Sequence, residues 1–359
     1  MERLHIAFFG PTNSGKSTLV NALAGQQVSL VSPIPGTTTD PVRKVIELPG
    51  LGPCVLIDTA GLGDGSALGA ERERLTRAIL DETDIAVILN APEADPVPDA
   101  PDFGMLAAQA DIPVIRYTRG ESVDSLLQRL IEAAPKEEQK FLTGNLVQAG
   151  SSVLLVMPQD SEAPKGRLIL PQVQVLRELL DRGCVPHSCT PDSLSAALSS
   201  LSRLPDLTIT DSQVFARVNE TLPKECPLTS FSVLLAAAKG DVRVFVEGAK
   251  AIDALKPGDR VLIAEACTHV PDTEDIGRVK IPAMLRKRAG QLEVDIAAGN
   301  DFPEDLSPYS LIVHCGACVA NARLVRSRIR KALLAGVPIT NYGIALAALN
   351  GILGRISIP

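Results

Sequence analysis

Gly10-Pro11-Thr12-Asn13-Ser14-Gly15-Lys16-Ser17 decides the fold of the first part of this 359-residue chain. It follows the apolar run Leu4 to Phe9 and precedes the helical pattern Thr18 to Leu23. Strand, G-x-x-x-x-G-K-S and helix in this order predict a phosphate-binding loop. The glycines would let backbone N–H groups surround the β-phosphate at a helix N-terminus. Lys16 would reach the β- and γ-phosphates, and the Ser17 hydroxyl would ligate Mg²⁺.

A second apolar run, which begins at Cys54, ends in Asp58-Thr59-Ala60-Gly61. An acid at the end of a strand is typical of the carboxylate that holds Mg²⁺ beside a phosphate loop, and the Gly61 N–H could sense the γ-phosphate. The polar segment from Pro35 to Asp40 lies between the two motifs and could order around a nucleotide. Within it, Thr38 is the candidate for the second protein ligand to Mg²⁺.

The three elements, in this order and spacing, resemble the GTPases of the TrmE and Era type. The resemblance implies GTP as the nucleotide and a K⁺ ion, associated with Asn13, that substitutes for an arginine finger. Leu62 stands where Ras-like proteins have a water-orienting Gln, which implies slow, K⁺-dependent hydrolysis. The nucleotide site would comprise Gly10, Asn13, Ser14, Gly15, Lys16, Ser17, Thr18, Thr38, Asp58 and Gly61. Lys16, Asn13 and Thr38 would be catalytic, and Mg²⁺ would be bound by Ser17, Thr38 and Asp58.

The guanine-reading segment departs from that family. Strands are predicted at Ile85 to Leu89 and at Ile112 to Ile115, and an N-K-x-D motif should follow the second of them. The sequence there is Arg116-Tyr-Thr-Arg-Gly-Glu121, and a predicted helix, Val123 to Ala133, comes directly afterwards. Either this turn is a degenerate base-reading motif or the segment that carries the motif is deleted. Both interpretations predict that one strand and one helix are missing, and both leave guanine specificity open.

The composition restricts the fold class and the class of partner. Hydrophobic residues make up 45% of the chain and charged residues 21%, while aromatic residues are 3% and Trp is absent, so we expect aliphatic cores in α/β layers. A net charge of −7 argues against a nucleic-acid partner, because phosphate binding requires a basic surface. We find neither a signal peptide nor a membrane-spanning run, which predicts a cytoplasmic protein without a membrane partner.

The middle of the chain, residues 141–250, continues the α/β alternation without a phosphate loop, which predicts a dimerisation or docking module. Strands are predicted at Val153–Met157, Leu207–Thr210 and Val242–Val246, and helices at Pro171–Asp181, Ser193–Leu201 and Ser230–Lys239. The segment Cys184-Val-Pro-His187-Ser-Cys189 has three potential metal ligands. No fourth ligand lies nearby in sequence, so we interpret its thiols as buried small residues. The chain's seven cysteines are an odd number without secretory signals, which argues against a disulfide framework.

In the last part, residues 251–359, two apolar runs end in metal-ligand residues. Val261 to Ala264 leads to Cys267-Thr-His269, and Leu311 to Val313 leads to His314-Cys315-Gly-Ala-Cys318. Ligands bind beyond the carboxyl ends of strands in open α/β sheets, so we expect one shared site. Three thiols with two imidazoles suit a 4Fe-4S cluster with one exchangeable corner, or a zinc site. A metal-free cluster of thiols is the remaining alternative.

The pattern Cys267-x-His269, a long spacer and His314-Cys315-x-x-Cys318, after a TrmE-like GTPase domain, resembles the HydF family of FeFe-hydrogenase maturation GTPases. The resemblance implies an α/β protein with a GTPase domain (1–140), a dimerisation domain (141–250) and a cluster domain (251–359). It also implies a 4Fe-4S cluster bound by Cys267, Cys315 and Cys318, with His269 and His314 as labile or supporting groups. The cluster would carry a diiron precursor.

This resemblance further implies a homodimer whose partners are radical-SAM maturases, which make the precursor, and apo-FeFe-hydrogenase, which receives it. Two other functions stay open. One is an Era- or TrmE-like GTPase that acts on RNA and has a structural zinc, although the chain lacks a basic, aromatic-rich module. The other is a descendant that binds a nucleotide without hydrolysing it.

Overall fold

A five-stranded sheet lies at the centre of the first of two units, residues 1–137. Its strands are Leu4–Phe9 (β1), Val42–Leu48 (β2), Gly52–Asp58 (β3), Ile85–Asn90 (β4) and Val114–Thr118 (β5), in the order β2-β3-β1-β4-β5. The helices of this unit are Lys16–Ala24 (α1), Ala67–Leu80 (α2), Phe103–Gln109 (α3) and Val123–Ala133 (α4). Over the whole chain, the computed structural model describes residues 3–11, 14–25, 41–60, 67–90, 102–135, 141–159, 166, 168–266 and 275–359.

Strand β1 is central because its side chains serve two cores in alternation. Ile6 and Phe8 face the core formed with α1 and α4, whereas Ala7 and Phe9 face the core formed with α2 and α3. All four side chains are fully buried. Only β2 runs antiparallel, and the other strands are parallel. Such parallel strands with both faces covered read as continuous apolar runs in the sequence, which is the pattern from which β1 was predicted.

Strand β5 leads through residues 119–122 directly into α4, which begins after the N-cap Ser122. Leu126 and Leu130 of α4 lie in the same core as the apolar residues of α1. The helix after the expected base-reading position is therefore the one that covers the α1 face of the sheet. The part of the first unit that the structure describes has five strands.

The second unit, residues 138–359, contains two four-stranded parallel sheets, ordered β7-β6-β8-β9 and β11-β10-β12-β13. The first sheet consists of Ser152–Val156 (β6), Val185–Cys189 (β7), Leu207–Thr210 (β8) and Leu228–Ser230 (β9). The second consists of Arg260–Glu265 (β10), Glu293–Ala298 (β11), Leu311–His314 (β12) and Ile339–Asn341 (β13). The helices are Leu170–Asp181 (α5), Leu194–Ser200 (α6), Phe215–Thr221 (α7), Phe231–Lys239 (α8), Val242–Ala249 (α9), Ile281–Ala289 (α10), Ala322–Leu334 (α11) and Tyr342–Leu349 (α12).

The strand predicted at Val242–Val246 is wrong, because this segment forms α9. Asp241 caps the helix, since its carboxylate accepts hydrogen bonds from the backbone N–H groups of Arg243 (2.9 Å) and Val244 (3.4 Å). The buried residues Val242, Phe245 and Ala249 recur with helical spacing, which the alternating letters Val-Arg-Val-Phe-Val conceal. Helix α9 packs tightly on β13. A Cβ atom at Gly248 would lie 2.0 Å from the Ile339 carbonyl oxygen.

The two sheets of the second unit share contacts through the C-terminal segment. Ala347 of α12 lies in the core beside β6 and β9, and the Ser357 N–H donates a hydrogen bond to the Leu228 carbonyl at 2.7 Å. The domain boundaries at 140 and 250 stay a prediction. The α/β fold class is confirmed. Among the described residues, no helix combines the length and the apolar character that crossing a membrane requires.

Candidate nucleotide site and candidate cluster site

The phosphate loop connects β1 to α1 through two glycines with positive φ, Gly10 (154°) and Gly15 (96°). A Cβ atom at Gly10 would lie 2.8 Å from the Leu89 carbonyl oxygen, so only glycine lets the loop leave the sheet here. Gly15 is the N-cap of α1, and no side chain caps this helix. The first N–H groups of α1 thus face the site where a phosphate would bind.

Lys16 is buried, and its ammonium group donates hydrogen bonds to the carbonyl oxygens of Gly10 (2.9 Å) and Pro11 (2.8 Å). Burial lowers the pKa of Lys16 from 10.5 to about 8, against the opposing effect of the Asp58 carboxylate. A buried cation that costs free energy in the protein alone gains from an incoming anion. This is the electrostatic condition that phosphate binding requires.

Ser17 and Asp58 form the proposed magnesium pair. The Ser17 hydroxyl donates a hydrogen bond of 2.6 Å to Oδ2 of Asp58, which is fully buried at the end of β3. The other carboxylate oxygen of Asp58, Oδ1, is shielded from solvent and has no hydrogen-bond partner among the described residues. An unsatisfied buried anionic oxygen beside a hydroxyl is a suitable place for a hydrated cation.

The remaining predicted nucleotide residues differ in what can be said of them. Ser14 is buried beside the loop, and Thr18 is exposed in the first turn of α1. Asn13, Thr38 and Gly61 lie outside the described residues, so their roles stay predictions.

Glu121, the acidic residue of the turn after β5, forms an ion pair within its own unit. The Arg129 guanidinium, on α4, donates hydrogen bonds to the Glu121 carboxylate and to the Arg116 carbonyl oxygen, the latter at 2.9 Å. The Tyr117 hydroxyl donates to the Glu121 carbonyl oxygen at 2.8 Å. The Glu121 carboxylate therefore pairs with an arginine of the same unit, and whether this turn reads a base stays open.

Of the predicted cluster residues, His314 ends β12 and Cys315 follows it, beside the carboxyl end of the parallel strand β10. Ala264 of β10 pairs with His314 of β12, and the Cys315 N–H donates to the Ala264 carbonyl oxygen at 2.9 Å. The Cys315 sulfur accepts hydrogen bonds from the N–H groups of Ala266 (3.1 Å) and Ala317 (3.4 Å). Backbone donors aimed at sulfur stabilise the thiolate form that binds metals.

His314 is buried, with both ring nitrogens in hydrogen bonds. Nε2 lies 3.2 Å from the Arg328 guanidinium, and Nδ1 lies 2.7 Å from the Cys315 carbonyl oxygen. Because the guanidinium can only donate, Nε2 is the acceptor and Nδ1 carries the proton. Burial, followed by the Arg328 charge, lowers the pKa of His314 from 6.5 to about 3. The imidazole is therefore neutral. Its two hydrogen bonds fix the orientation of His314, the residue that directly precedes Cys315.

Cys318 ends a short loop that Lys239 holds in place. The Lys239 ammonium, at the end of α8, donates hydrogen bonds to the carbonyl oxygens of Ala317 (2.8 Å), Cys318 (3.3 Å) and Ala320 (2.7 Å). Ala317 has a φ of 50°, which residues with a side chain rarely adopt. The buried cation thus stabilises the strained turn between Cys315 and Cys318.

Cys267 and His269 lie outside the described residues. Over the described ranges, which stop at residue 266 and resume at 275, no group of three or more His, Cys, Asp and Glu side chains could hold a metal ion. Of the predicted ligands, the structure brings Cys315, Cys318 and His314 to one end of the sheet. Their combination with the first ligand pair stays a prediction.

Sequence reasoning missed three side chains around this site, two of them buried and one, Tyr342, partly buried. Arg328 donates to His314 and also to the carbonyl oxygens of Glu265 (3.1 Å) and Gly299 (2.6 Å), so it joins β10, β11 and β12. Lys239 is the second. The third is Tyr342, whose pKa is raised well above 10 by burial, then by the charges of Cys315 and the nearby carboxylates. The helical spacing of Ala322, Val325, Arg328 and Ala332 was the one available signal for Arg328.

Of the cysteines on either side of His187, Cys184 is buried as predicted, whereas Cys189 is only partly buried. Cys184 is buried, and its thiol lies 3.4 Å from the Gln148 carbonyl oxygen. Burial raises the pKa of both Cys184 and Cys189. Raised pKa values disfavour the thiolate that metal binding needs.

Comparison with protein families assigns a model to nearly every part of the chain. Residues 5–117 match the "50S ribosome-binding GTPase" model, residues 142–240 the "Hydrogen maturase F dimerization domain" and residues 243–358 the "Hydrogen maturase F tetramerization domain".

Among curated proteins, the tRNA modification GTPase MnmE of Acidiphilium cryptum is 42% identical over 116 residues, which are 32% of this chain and 25% of that protein. MnmE of Zymomonas mobilis is 38% identical over 163 residues, 40% of this chain and 37% of that protein. The chain therefore matches about a quarter to a third of the length of these relatives.

Among solved structures, a variant of Aquifex aeolicus Era bound to GDP and AlF₄⁻ is 18% identical, with 85% of this chain and 97% of that chain covered and a TM-score of 0.29. NFeoB from S. thermophilus, bound to GDP, AlF₄⁻ and K⁺, is 20% identical, with coverage of 36% and 62% and a TM-score of 0.23. The two hydrogen maturase F models together match more than half of the chain and adjoin a GTPase domain, and the chain therefore belongs to the hydrogen maturase F (HydF) family.

Proposed function

We propose that this chain is a maturation factor for FeFe-hydrogenase, a GTP-hydrolysing scaffold that carries a 4Fe-4S cluster and a diiron precursor. Radical-SAM maturases would supply the precursor, and apo-hydrogenase would receive it. One observation carries the proposal. A single chain of the hydrogen maturase F family combines a phosphate loop suited to Mg²⁺ with the Cys315 thiol, which lies at the end of β12 and accepts a hydrogen bond from Ala266 at the end of the adjoining strand β10.

The nucleotide half of the proposal rests on how well the residues fit GTP and Mg²⁺. A bound Mg²⁺ would supply positive charge that offsets the charge of the phosphates. Ser17 and Asp58, with its unpaired Oδ1, would hold the ion, and Thr38 would complete its protein ligands. Lys16 would exchange the carbonyls of Gly10 and Pro11 for phosphate oxygens. We further propose K⁺-stimulated hydrolysis, with the ion beside Asn13.

The cluster half rests on the chemistry of the donor set. Cys315 already accepts two backbone hydrogen bonds at sulfur, and one of the donors, Ala266, directly precedes Cys267 in the chain. This fits a cluster held by Cys267, Cys315 and Cys318. When bound, such a cluster supplies one iron whose ligand can be exchanged. Both ring nitrogens of His314 are already in hydrogen bonds, so we propose that the role of His314 is to orient Cys315. His269 is then the candidate for the labile position.

The assembly and the compartment follow from the family and from the thiols. We propose a homodimer formed through residues 142–240, with further association through residues 243–358, in keeping with the names of the two domain models. Of the described cysteines, Cys54, Cys184, Cys189, Cys226 and Cys318 have free thiols. Free thiols together with an oxygen-sensitive cluster fit the reducing cytoplasm.

Anaerobic reconstitution tests the cluster directly. Purified protein is given iron and sulfide, and metal content and the EPR spectrum of the reduced protein are measured. We expect about four iron atoms per chain. Cys315→Ser, Cys318→Ser and Cys267→Ser should each lose most of this iron, whereas the matched control Cys189→Ser should keep it. Zinc without iron would contradict the scaffold function and favour the RNA-associated alternative.

Hydrolysis of GTP and ATP, in K⁺ and in Na⁺, tests the nucleotide half. We expect Mg²⁺-dependent GTP turnover that is faster in K⁺. Equal turnover of ATP would show that base reading does not survive in the turn from Thr118 to Glu121. Tight GTP binding without turnover would instead identify a nucleotide-binding descendant and contradict the enzymatic part of the proposal.

A further inference from the structure

The two parallel sheets of the second unit have the same architecture. In each sheet the first strand in the chain lies between the second and the third, and the fourth strand leads directly into a helix. The closing segments are also similar in sequence, Leu228-Thr-Ser-Phe-Ser-Val-Leu-Leu-Ala-Ala-Ala-Lys-Gly240 in the first sheet and Ile339-Thr-Asn-Tyr-Gly-Ile-Ala-Leu-Ala-Ala-Leu-Asn-Gly351 in the second. The unit therefore consists of two equivalent halves, β6 to α8 and β10 to α12.

In each half, the helix between the third and fourth strands packs on the last helix of the other half. Ala236 of α8 lies in one core with Val325 of α11, and the equivalent residue of α12, Ala347, lies in one core with Phe215 of α7. The two pairs of helices, α8 with α11 and α12 with α7, are thus equivalent, and the surfaces beside them can be compared directly.

Beside α12 and α7, the chain covers the surface with its own C-terminal segment. Ile352 and Leu353, which follow α12, pack against the core that contains α7. The Arg355 guanidinium fixes this segment, because it donates a hydrogen bond of 2.6 Å to the Cys226 carbonyl oxygen beyond the end of α7. Aliphatic side chains are therefore the natural covering of this kind of surface.

Beside α8 and α11, the equivalent surface is an open groove of about 460 Å³, lined by the α8–α9 turn and by α11. Asp241 stands at the position of Ile352, and its carboxylate turns to the N–H groups of α9. The side chains of Leu333 and Leu334, which line the groove, are 58% and 79% exposed. Because α11 connects two parallel strands, its last turn lies at the end of the sheet opposite to Cys315.

The rim of the groove is basic. Arg326 and Arg330 of α11 line it, and both residues are exposed. The one carboxylate in the described lining, that of Asp241, already accepts hydrogen bonds from α9. The whole chain has a net charge of −7, so this is a local positive surface on an acidic protein. Charge complementarity favours an aliphatic segment that is flanked by carboxylates.

We infer that this groove is a docking site for an acidic, leucine-containing segment of a different protein. Its aliphatic side chains contact Leu333 and Leu334, and its carboxylates pair with Arg326. A second copy of this chain is less suitable. The segment with the matching aliphatic pattern, residues 352–356, is already packed in its own unit, and the charge of Arg355 would repel the basic rim.

Three fluorescein-labelled helical peptides test the docking site, with binding to the full-length protein measured by fluorescence anisotropy. The first peptide has two leucines one helical turn apart, surrounded by glutamates. The second has serine in place of both leucines, and the third has lysine in place of the glutamates. We expect only the first peptide to bind, because it alone combines the apolar contact with the opposite charge.

Two variants of α11 locate the binding. Leu333→Ser removes an apolar contact and Arg326→Glu reverses a charge, and each should weaken the binding of the first peptide by about tenfold. In Arg326→Glu the lysine peptide should gain affinity. The matched control is Leu204→Ser, because Leu204 is 49% exposed and does not line the groove, and its affinity should not change. All three side chains are exposed, so each variant should fold.

Absence of binding, equal affinity for the three peptides, or unchanged affinity in Leu333→Ser would overturn the inference. Sedimentation at increasing protein concentration examines the second copy as the occupant. If Leu333→Ser weakened self-association and the acidic peptide did not bind, the groove would belong to another copy of this chain, which would also overturn the inference. Neither measurement depends on iron uptake or GTP turnover, so the outcome is independent of the proposed function.

Discussion

The nucleotide site and the cluster site are held in different ways. The described groups of the nucleotide site come from the segment 10–18 and from Asp58 on the adjacent strand, which the Ser17 hydroxyl reaches across 41 residues of sequence. The cluster site is held by hydrogen bonds between residues far apart in sequence. The bonds of Arg328 span 63 residues to Glu265 and 29 to Gly299, and the bond of Lys239 to Ala317 spans 78. A local site can be altered without loss of the fold, whereas a distributed site is part of the fold.

The largest effect expected is on hydrolysis, from the variant Lys16→Ala. Loss of the ammonium that meets the β- and γ-phosphates should reduce GTP turnover by about 10²–10³-fold. Stability should not fall, because the buried cation, whose pKa is lowered to about 8, is disfavoured in the folded protein. Single-turnover hydrolysis and chemical denaturation measure the two quantities. Lys44→Ala, on β2, is the control and should keep full turnover.

Near-normal GTP turnover in Lys16→Ala would show that hydrolysis does not depend on the phosphate-loop motif. A large loss of stability would show that Lys16 is structural, and that the nucleotide site cannot be altered without loss of the fold.

The distributed site should respond in the opposite way, with a loss of stability. In Arg328→Met, two buried acceptors on His314 and Glu265 and a partly buried one on Gly299 lose a donor, and we expect the free energy of unfolding of the second unit to fall by about 3 kcal/mol. Iron uptake should fall with it, while GTP turnover stays unchanged. Hydrogen exchange of β10, β12 and β13 in increasing urea measures the loss.

The matched control is Arg326→Met on the same helix, because Arg326 is exposed. Its effect should stay within about 0.5 kcal/mol. If the two arginine variants behaved alike, the buried hydrogen bonds of Arg328 would carry no special share of the stability of this site.

The same difference explains what could be predicted from the sequence. Contiguous sequence patterns predict the phosphate loop, the carboxylate proposed to bind Mg²⁺, and the strands that end at Asp58 and His314. The partners of Lys239 and Arg328 do not, because one arginine among four in α11 acquires its role only when three distant strands meet it. The segment Val242–Val246 was predicted wrongly because five letters fit a strand, and the helix depends on the cap at Asp241 and on packing against β13.

A smaller effect should appear in the pH dependence of GTP binding. In the free protein the pKa of Lys16 is about 8, and bound phosphates favour the charged form, so the pKa of Lys16 must be higher in the complex. Binding then takes up a proton above pH 8. The affinity should be nearly constant between pH 7 and 8 and should fall about tenfold per pH unit above 8. Calorimetry at several pH values measures this.

In Lys16→Arg the side chain stays charged throughout this range, and the slope above pH 8 should disappear. A slope that persists in this variant would assign the titration to another group and would remove Lys16 as its source.

The smallest expected effect concerns the N-cap of α9, a feature of local sequence in the unit that also contains the cluster site. Asp241→Ala removes the acceptor for two backbone N–H groups, which should lower the free energy of unfolding of the second unit by about 1 kcal/mol. Glu247→Ala removes an exposed acid that pairs with Lys250, the C-cap of the same helix, and should cost less than about 0.5 kcal/mol. Urea denaturation followed by hydrogen exchange in α9 and β13 compares the two variants.

Because α9 packs on β13, protection should decrease in both elements in Asp241→Ala. A decrease confined to α9 would mean that the helix frays independently, and that the cluster end of the sheet does not depend on the cap.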